Sequence, residues 1–393
     1  MQHVTHAFLT LGLINALGAR SQTFTQLDDL PGDVRDGAIS FVLNDHVYVG
    51  GGTGSKDLYM LDDATGDWVP KHDIPGVVNE RWFAGAFVIG NTAYVGLGND
   101  GTTFKRDLWA YDGDLDQWTQ MHDYPSSARN AVFCFAVGGK GYVCGGADNS
   151  YIYSDVAEYD PETNDWEVLD PLPVGPTAFG SAFVIDDKAY IVGGDHGTDE
   201  SADMYRFDPG TLQWTPRAPF IGPVRQTAVA FTLNGKGWFG LGQTGYTTPF
   251  NDLYTYDPEA NAWNPAGTFP GGVRCWATAC STTSKAYLGT GWNFTTTFYK
   301  DWWTMEASVG IPEVDASELM LFPVPATDRL NIRLPDVPRA DLRVLDQAGR
   351  LVRTGLLTQG LAEIELDGLA AGTYVLMAAA PEAAPLRMPF VKR

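Results

Sequence analysis

An arginine followed seventeen residues later by a glycine recurs along this chain, and no other feature limits its fold so tightly. The glycines are Gly52, Gly98, Gly146, Gly194, Gly242 and Gly291; the arginine position holds Arg35, Arg81, Arg129, Thr177, Arg225 and Arg274. Each unit runs on through a variable loop to an Asp and an aromatic-rich run such as "DVAEYDP" or "DMYRFDP". A turn and a Trp follow: Trp68, Trp118, Trp166, Trp214 and Trp263. A period of about 46 to 50 residues means one supersecondary unit stacked on copies of itself. Turns of Gly, Asp, Asn and Pro divide each unit into four short strands, a to d. In the third unit these are "AVFCFAV", "GYVCGG", "VAEYD" and "DWEVL".

The Gly pair after strand b, the "YDP" after strand c and the spaced Trp resemble the kelch family of β-propellers, over roughly residues 24 to 305. The resemblance implies an all-β, six-bladed propeller at residues 22–307. Units two and five have "GLG" and unit six "GTG", so the second Gly carries the steric demand. The sixth unit has no Trp strand, whereas "FTQLDDLP", Phe24 to Pro31, keeps the Trp-to-Pro spacing with Phe24 in the Trp place. The N-terminal strand is therefore expected to complete the last blade and close the ring, hiding the sheet edges.

Cys134 and Cys144 lie in strands a and b of the third unit, nearly opposite across a "GGK" turn. A disulfide between them is possible in an oxidising compartment, subject to turn register; the alternative is two small buried thiols. Cys280 stands where Phe41, Phe87 and Phe135 stand and is expected in the core.

The chain's ends point to export. Residues 1–21 read as a signal peptide: the apolar run Ala7 to Leu17 is too short to span a bilayer, and Ala19 and Ser21 fit the small-residue cleavage rule before Gln22. Its leading segment has His3 and His6 but no Lys or Arg. After a linker at 308–318, residues 319–393 break the period and read as a small β-sandwich. This part resembles the C-terminal sorting domain of the type IX secretion system. The matching residues are Pro323, Pro325 and Ala326; Asp346, Gly349, Arg350 and Val352; Leu369, Gly372, Tyr374 and Leu376; and the closing "FVKR". Val324 replaces the Asn usual between the prolines. The resemblance implies the type IX machinery as a partner and a location outside the cell, or on the outer-membrane surface, of a Gram-negative bacterium. No segment is expected to span a membrane.

The net charge is −22, and the residues beyond Ile311 hold eleven acids and nine bases, so the excess acid sits on the propeller. An acidic surface disfavours nucleic acid, which relies on clustered Lys and Arg.

Function has to be argued from a site, not from the fold. The d-to-a and b-to-c connections share one face of the disc, where residues vary between blades. Candidate ligand-binding residues there are Arg35, Arg81, Arg129, Arg225 and Arg274, with Trp82, Phe83, Asn130, Gln226 and Trp276 beside them; Phe179 stands beside the corresponding position of the fourth blade. His196, Tyr246 and Trp292 come from the b-to-c loops. Exposed rings stack on sugar faces and Arg forks grip carboxylates, which fits a glycan or an acidic peptide. The competing reading pairs the arginines with the repeated Asp57, Asp107, Asp155, Asp203, Asp252 and Asp301, or with carbonyls in adjoining blades, as scaffold. Galactose oxidase-like copper chemistry needs two converging His. Beyond Gln22 the chain has His46, His72, His122 and His196, of which only His196 lies in a b-to-c loop, so no metal or cofactor is expected. The sequence therefore predicts a binding module for glycan or protein. The alternative is a carbohydrate-active enzyme resembling sialic acid mutarotases, with a carboxylate from Glu80, Asp195, Asp199 or Glu200. A carboxylate beside free Arg in a closed pocket would favour the enzyme; an aromatic-rimmed face favours binding.

Overall fold

The computed structural model describes residues 22–306, 320–334, 339–346, 350–379 and 386–393; the expected signal peptide and linker lie outside them. Among these residues, six four-stranded antiparallel sheets follow one another up to Glu306. The third blade runs Phe133–Val137, Lys140–Cys144, Val156–Asp160 and Asp165–Leu169, paired in that order. The last blade takes Thr278–Ser281, Ala286–Gly289 and Trp302–Glu306 from the end of the repeat and Thr23–Leu27 from the N-terminus. Phe24 stands opposite Met305 and edge-on to Phe269, centroids 5.6 Å apart. The ring is closed by the strand that the sequence assigned to it.

Alternation along strand a divides each blade's inner edge. One set of side chains is buried between blades: Phe41, Phe87, Phe135, Phe183 and Phe231 each stack on the ring opposite in strand b, with centroids 5.1 to 5.8 Å apart. In the sixth blade Cys280 faces Tyr287 and is buried, as expected. The intervening set holds small residues and lines an open cavity of about 290 Å³, where Cys134, Ala182, Ala230 and Ser281 of four successive blades meet. Bulkier side chains would not fit where six strands converge. The outer-strand Trp residues knit blades together. The indole N–H of Trp68, Trp118, Trp166 and Trp263 donates to the carbonyl of Asp28, His72, His122 and Ala218 in the preceding blade.

The Cys134–Cys144 disulfide is not formed. The turn at Gly138 and Gly139, both at positive φ, pairs Val137 with Lys140; counting back, Cys134 meets Val143 and Cys144 meets Phe133. That offset of one residue puts the thiols on opposite faces of the sheet. Cys134 lines the axial cavity and Cys144 packs in the core against the next blade; both are free. Burial pushes the Cys134 thiol up to about 12.

The repeated arginines hold the blades in place. Arg81 forks Asp107 through Nη1 (2.9 Å) and Nη2 (2.6 Å), and Nη1 also donates to the Leu97 carbonyl. Arg35, Arg225 and Arg274 fork Asp57, Asp252 and Asp301 in the same way, and Arg129 bonds Asp155. All five side chains are 0–1% exposed. Aromatic rings cover several of them, with Arg129 3.6 Å from the Tyr153 centroid and Arg274 4.0 Å from that of Tyr299. The backbone at the same positions ties neighbours together. Gly52, Gly98, Gly146, Gly194, Gly242 and Gly291 donate in turn to the carbonyls of Arg81, Arg129, Thr177, Arg225, Arg274 and Arg35, a closed circuit of six bonds. The second glycine of each pair lies at φ between +78° and +108°, outside the left-handed well that other residues can enter, whereas its neighbour is replaced by Leu97, Leu241 or Thr290 at φ near +55°.

The second unit spans Ser308–Arg393 and is described from Met320. Its seven strands form one sheet: Met320–Phe322, Arg329–Arg333, Leu361–Glu365, Leu351–Thr358, Arg339–Leu345, Gly372–Ala379 and Leu386–Lys392, in spatial order. Ala326 bridges Lys392, so the sheet curls around a core that includes Leu330, Val344, Tyr374 and Leu376. Among the described residues no helix is long and apolar enough to cross a membrane.

Removing Asp107 leaves the Arg81 charge buried without a counter-ion, so Asp107→Ala is expected to cost about 3–5 kcal/mol in equilibrium denaturation. Replacing both partners by Leu should cost less than Asp107→Ala alone. A loss under about 1 kcal/mol for Asp107→Ala would mean that the fork is not what holds the blade.

Candidate functional site

Two residues beyond each arginine position, the chain turns over the propeller axis. Gly37, Phe83, Ala131, Phe179, Thr227 and Trp276 occupy these positions, all at φ between +50° and +59°. For a bulky Phe or Trp this left-handed conformation is an outlier that surrounding structure has to enforce. The enforcement is a second circuit of backbone bonds: Phe83 N–H donates to Gly37, Ala131 to Phe83, Phe179 to Ala131, Thr227 to Phe179, Trp276 to Thr227 and Gly37 to Trp276. The six blades thus meet in one closed ring at the channel mouth.

Large and small side chains alternate around this ring. Phe83 meets Phe179 and Trp276 edge-on across the axis, centroids 5.5 and 5.4 Å away. A Cβ on Gly37 would lie 3.0 Å from the Phe83 ring, so the small positions make room for the large ones. Trp82 extends the cluster on one side (4.6 Å from Phe83). Trp292 (5.4 Å from Trp276), Phe294 and Phe298 extend it on the other. All three axial rings are half-buried, leaving a partly exposed aromatic floor.

The candidates from the sequence separate accordingly. Arg35, Arg81, Arg129, Arg225 and Arg274 are withdrawn beneath the face and committed to their aspartates, which corrects the reading of them as a ring open to ligand. Their repetition reflects a scaffold task that every blade but the fourth has. Trp82, Phe83, Trp276 and Trp292 form the floor. Asn130 and Gln226 lie buried one residue before the axial ring, 6% and 1% exposed. Tyr246 is exposed at the rim, its hydroxyl donating to Asp195 at 2.6 Å. His196 is half-buried on the same side, with its Nε2 buried and unpartnered.

Phe179, beside the entry to the fourth blade, completes the floor. Gln243 and Asp36 escape the sequence reading, and Glu200 enters it only as a candidate carboxylate. Gln243 and Glu200 belong to the Gln226 side: Gln226 and Gln243 exchange backbone bonds of 3.0 Å, and Glu200 Oε1 accepts the Gly245 N–H at 2.7 Å. Both amide atoms of Gln243 and the Gln226 Oε1 are buried without a partner, as are the indole nitrogens of Trp276 and Trp292. Asp36 is 3% exposed and accepts a hydrogen bond from the Thr53 hydroxyl. Burial pushes its carboxyl above the ordinary value; the Thr53 bond pulls it back in part and Glu80 adds repulsion. The one signal for Asp36 is a carboxylate at a position where other blades have Trp82, Asn130, Ala178, Gln226 or Cys275.

Residues 22–178 match the KLHDC2/KLHL20/DRC7 Kelch-repeats domain, residues 176–220 the Kelch motif, and residues 320–384 the secretion system C-terminal sorting domain. No curated protein sequence matches the chain. Among solved structures, the chain is similar to YjhT, at 18% identity and a TM-score of 0.60, over 71% of this chain and 99% of that one. A likeness at that identity concerns the fold.

Because the folded state holds the Asp36 proton at pH values where the unfolded chain has released it, stability should fall as pH rises through the window above 3.8. Asp36→Asn keeps an acceptor for Thr53 and removes the charge. Thermal melts should show a higher midpoint at pH 7 and a flatter dependence on pH in that window. A lower midpoint at pH 7 would contradict this assignment.

Proposed function

The chain is a kelch-repeat propeller followed by a secretion-system sorting domain, and from that premise we propose that it is an exported binding module whose aromatic channel mouth takes a glycan. The observation that carries this reading is the floor of Phe83, Phe179 and Trp276, half-exposed and held in a strained backbone conformation by a closed ring of hydrogen bonds. Strain of this kind is kept where the surrounding structure over-determines it, and functional sites are where it collects. Rings presented with unpartnered indole N–H and carboxamide groups offer what a sugar needs: an apolar face to lie on and polar groups at its edge. Tyr246, Asn130 and His196 stand at the margin of this floor.

The enzyme alternative needs a carboxylate with a free guanidinium nearby. Asp36 supplies a buried carboxylate, but the arginines of the repeat that stand around the mouth are held by Asp57, Asp107, Asp155, Asp252 and Asp301. That arrangement supports binding over acid–base catalysis. The sorting domain supports a place outside the cell, and we take the exporting machinery to be type IX and the cell Gram-negative.

On a glycan array the full chain should bind a defined set of glycans. Trp276→Ala should weaken the best of them about tenfold or more, the scale of one lost stacking contact. Its far-UV spectrum should stay that of the parent. Unchanged glycan affinity in Trp276→Ala, or no glycan bound by the parent, would overturn the reading.

A further inference from the structure

We infer that the ligand of this mouth is a neutral saccharide, gripped by the adjacent carboxamides of Gln226 and Gln243, and that acidic sugars are disfavoured. The inference rests on the glycan reading and specifies its ligand.

The residue after the repeated glycine has a local task in two other blades. Asn99 Oδ1 accepts the N–H of Gly101 (2.6 Å) and Asp195 Oδ1 that of Gly197 (2.7 Å), each capping its own b-to-c loop. In the fifth blade this position is Gln243, one methylene longer, and the equivalent loop amide, Gly245 N–H, is taken instead by Glu200 from the fourth blade. Gln243 is thereby released from capping. Its carboxamide is fully buried, with neither the oxygen nor the nitrogen partnered. Gln226 stands directly opposite in an antiparallel bridge, which sets the two side chains on one face, and its Oε1 is also unpartnered.

A buried amide left unpaired costs about 1–3 kcal/mol, and folded proteins keep few. The Gln243 carboxamide, relieved of its local task by a neighbouring blade, and the Gln226 oxygen beside it are polar groups reserved for something that enters. The Gln243 carboxamide both donates and accepts, as a sugar hydroxyl does, and the Gln226 Oε1 adds a second acceptor, so together they match a vicinal diol. Charge sets the selectivity. Glu200 Oε1 accepts a hydrogen bond from the Gln226 amide (3.4 Å) and Asp195 holds Tyr246, while the adjacent Arg225 is bound to Asp252. An anionic sugar entering here would meet two carboxylates and no free guanidinium from that position.

The test uses the full chain on an array pairing neutral oligosaccharides with their sialylated counterparts, with Gln243→Leu and Trp276→Ala alongside. The parent should prefer the neutral members. Gln243→Leu should lose about tenfold or more in affinity for them while its thermal midpoint holds or rises, because an unpaired buried amide is replaced by an apolar group of similar size. Preference for sialylated glycans, parent-like affinity in Gln243→Leu, or a midpoint several degrees lower would overturn the inference. If Trp276→Ala abolishes binding and Gln243→Leu does not, only this inference fails; if the parent binds no glycan at all, the glycan reading fails with it.

Discussion

The buried arginine fork is the contact from which the rest of the propeller is built. At one residue the backbone carbonyl receives the glycine of the preceding blade, and the guanidinium reaches into its own blade to grip an aspartate and the end of strand b. Such a charge is tolerable in the interior because its Nη donors meet a carboxylate and a carbonyl, and aromatic rings cover the guanidinium faces of Arg129, Arg225 and Arg274. The chain leaving this anchor has two residues in which to reach the axis, and it does so in a left-handed conformation that the axial ring of hydrogen bonds holds. Blade four shows what the fork adds and what it does not. Thr177 keeps both backbone bonds, to Gly146 and Tyr153, without a guanidinium, so the circuit itself is a backbone property and the fork is its reinforcement.

This division explains which side chains are free to recognise anything. Positions that repeat are engaged in holding blades together; positions that differ at the mouth are not. Phe83, Phe179 and Trp276 alternate with Gly37, Ala131 and Thr227, so the sixfold backbone presents a surface with threefold alternation of size. Asymmetry then enters through single substitutions, Gln243 where Asn99 and Asp195 cap their loops, and Asp36 where other blades have uncharged residues.

Blade number, ring closure and the face carrying the variable loops were legible in the sequence, because each follows from spacing: Phe24 to Pro31 repeats the Trp-to-Pro interval, and the glycines keep register. The role of the arginines was ambiguous, since repetition is compatible with either a ring of ligand contacts or a ring of ion pairs; only the buried distances to Asp57 and its equivalents separate the two. The disulfide reading failed on one residue of register, decided by the turn at Gly138 and Gly139. Glu200 was legible only as a candidate carboxylate and Gln243 not at all, because the substitution of one capping group by another crosses from blade five to blade four, and contacts between blades leave no local pattern.

The account's central claim is that the arginines are scaffold while the mouth's rings and amides recognise the ligand. A crystal structure of the full chain with a bound neutral oligosaccharide tests it most directly. The account predicts a sugar ring lying on the Phe83–Phe179–Trp276 floor, with all five guanidinium groups still paired to their aspartates. A ligand held by any of those guanidinium groups, or seated on the opposite face of the disc, would contradict it.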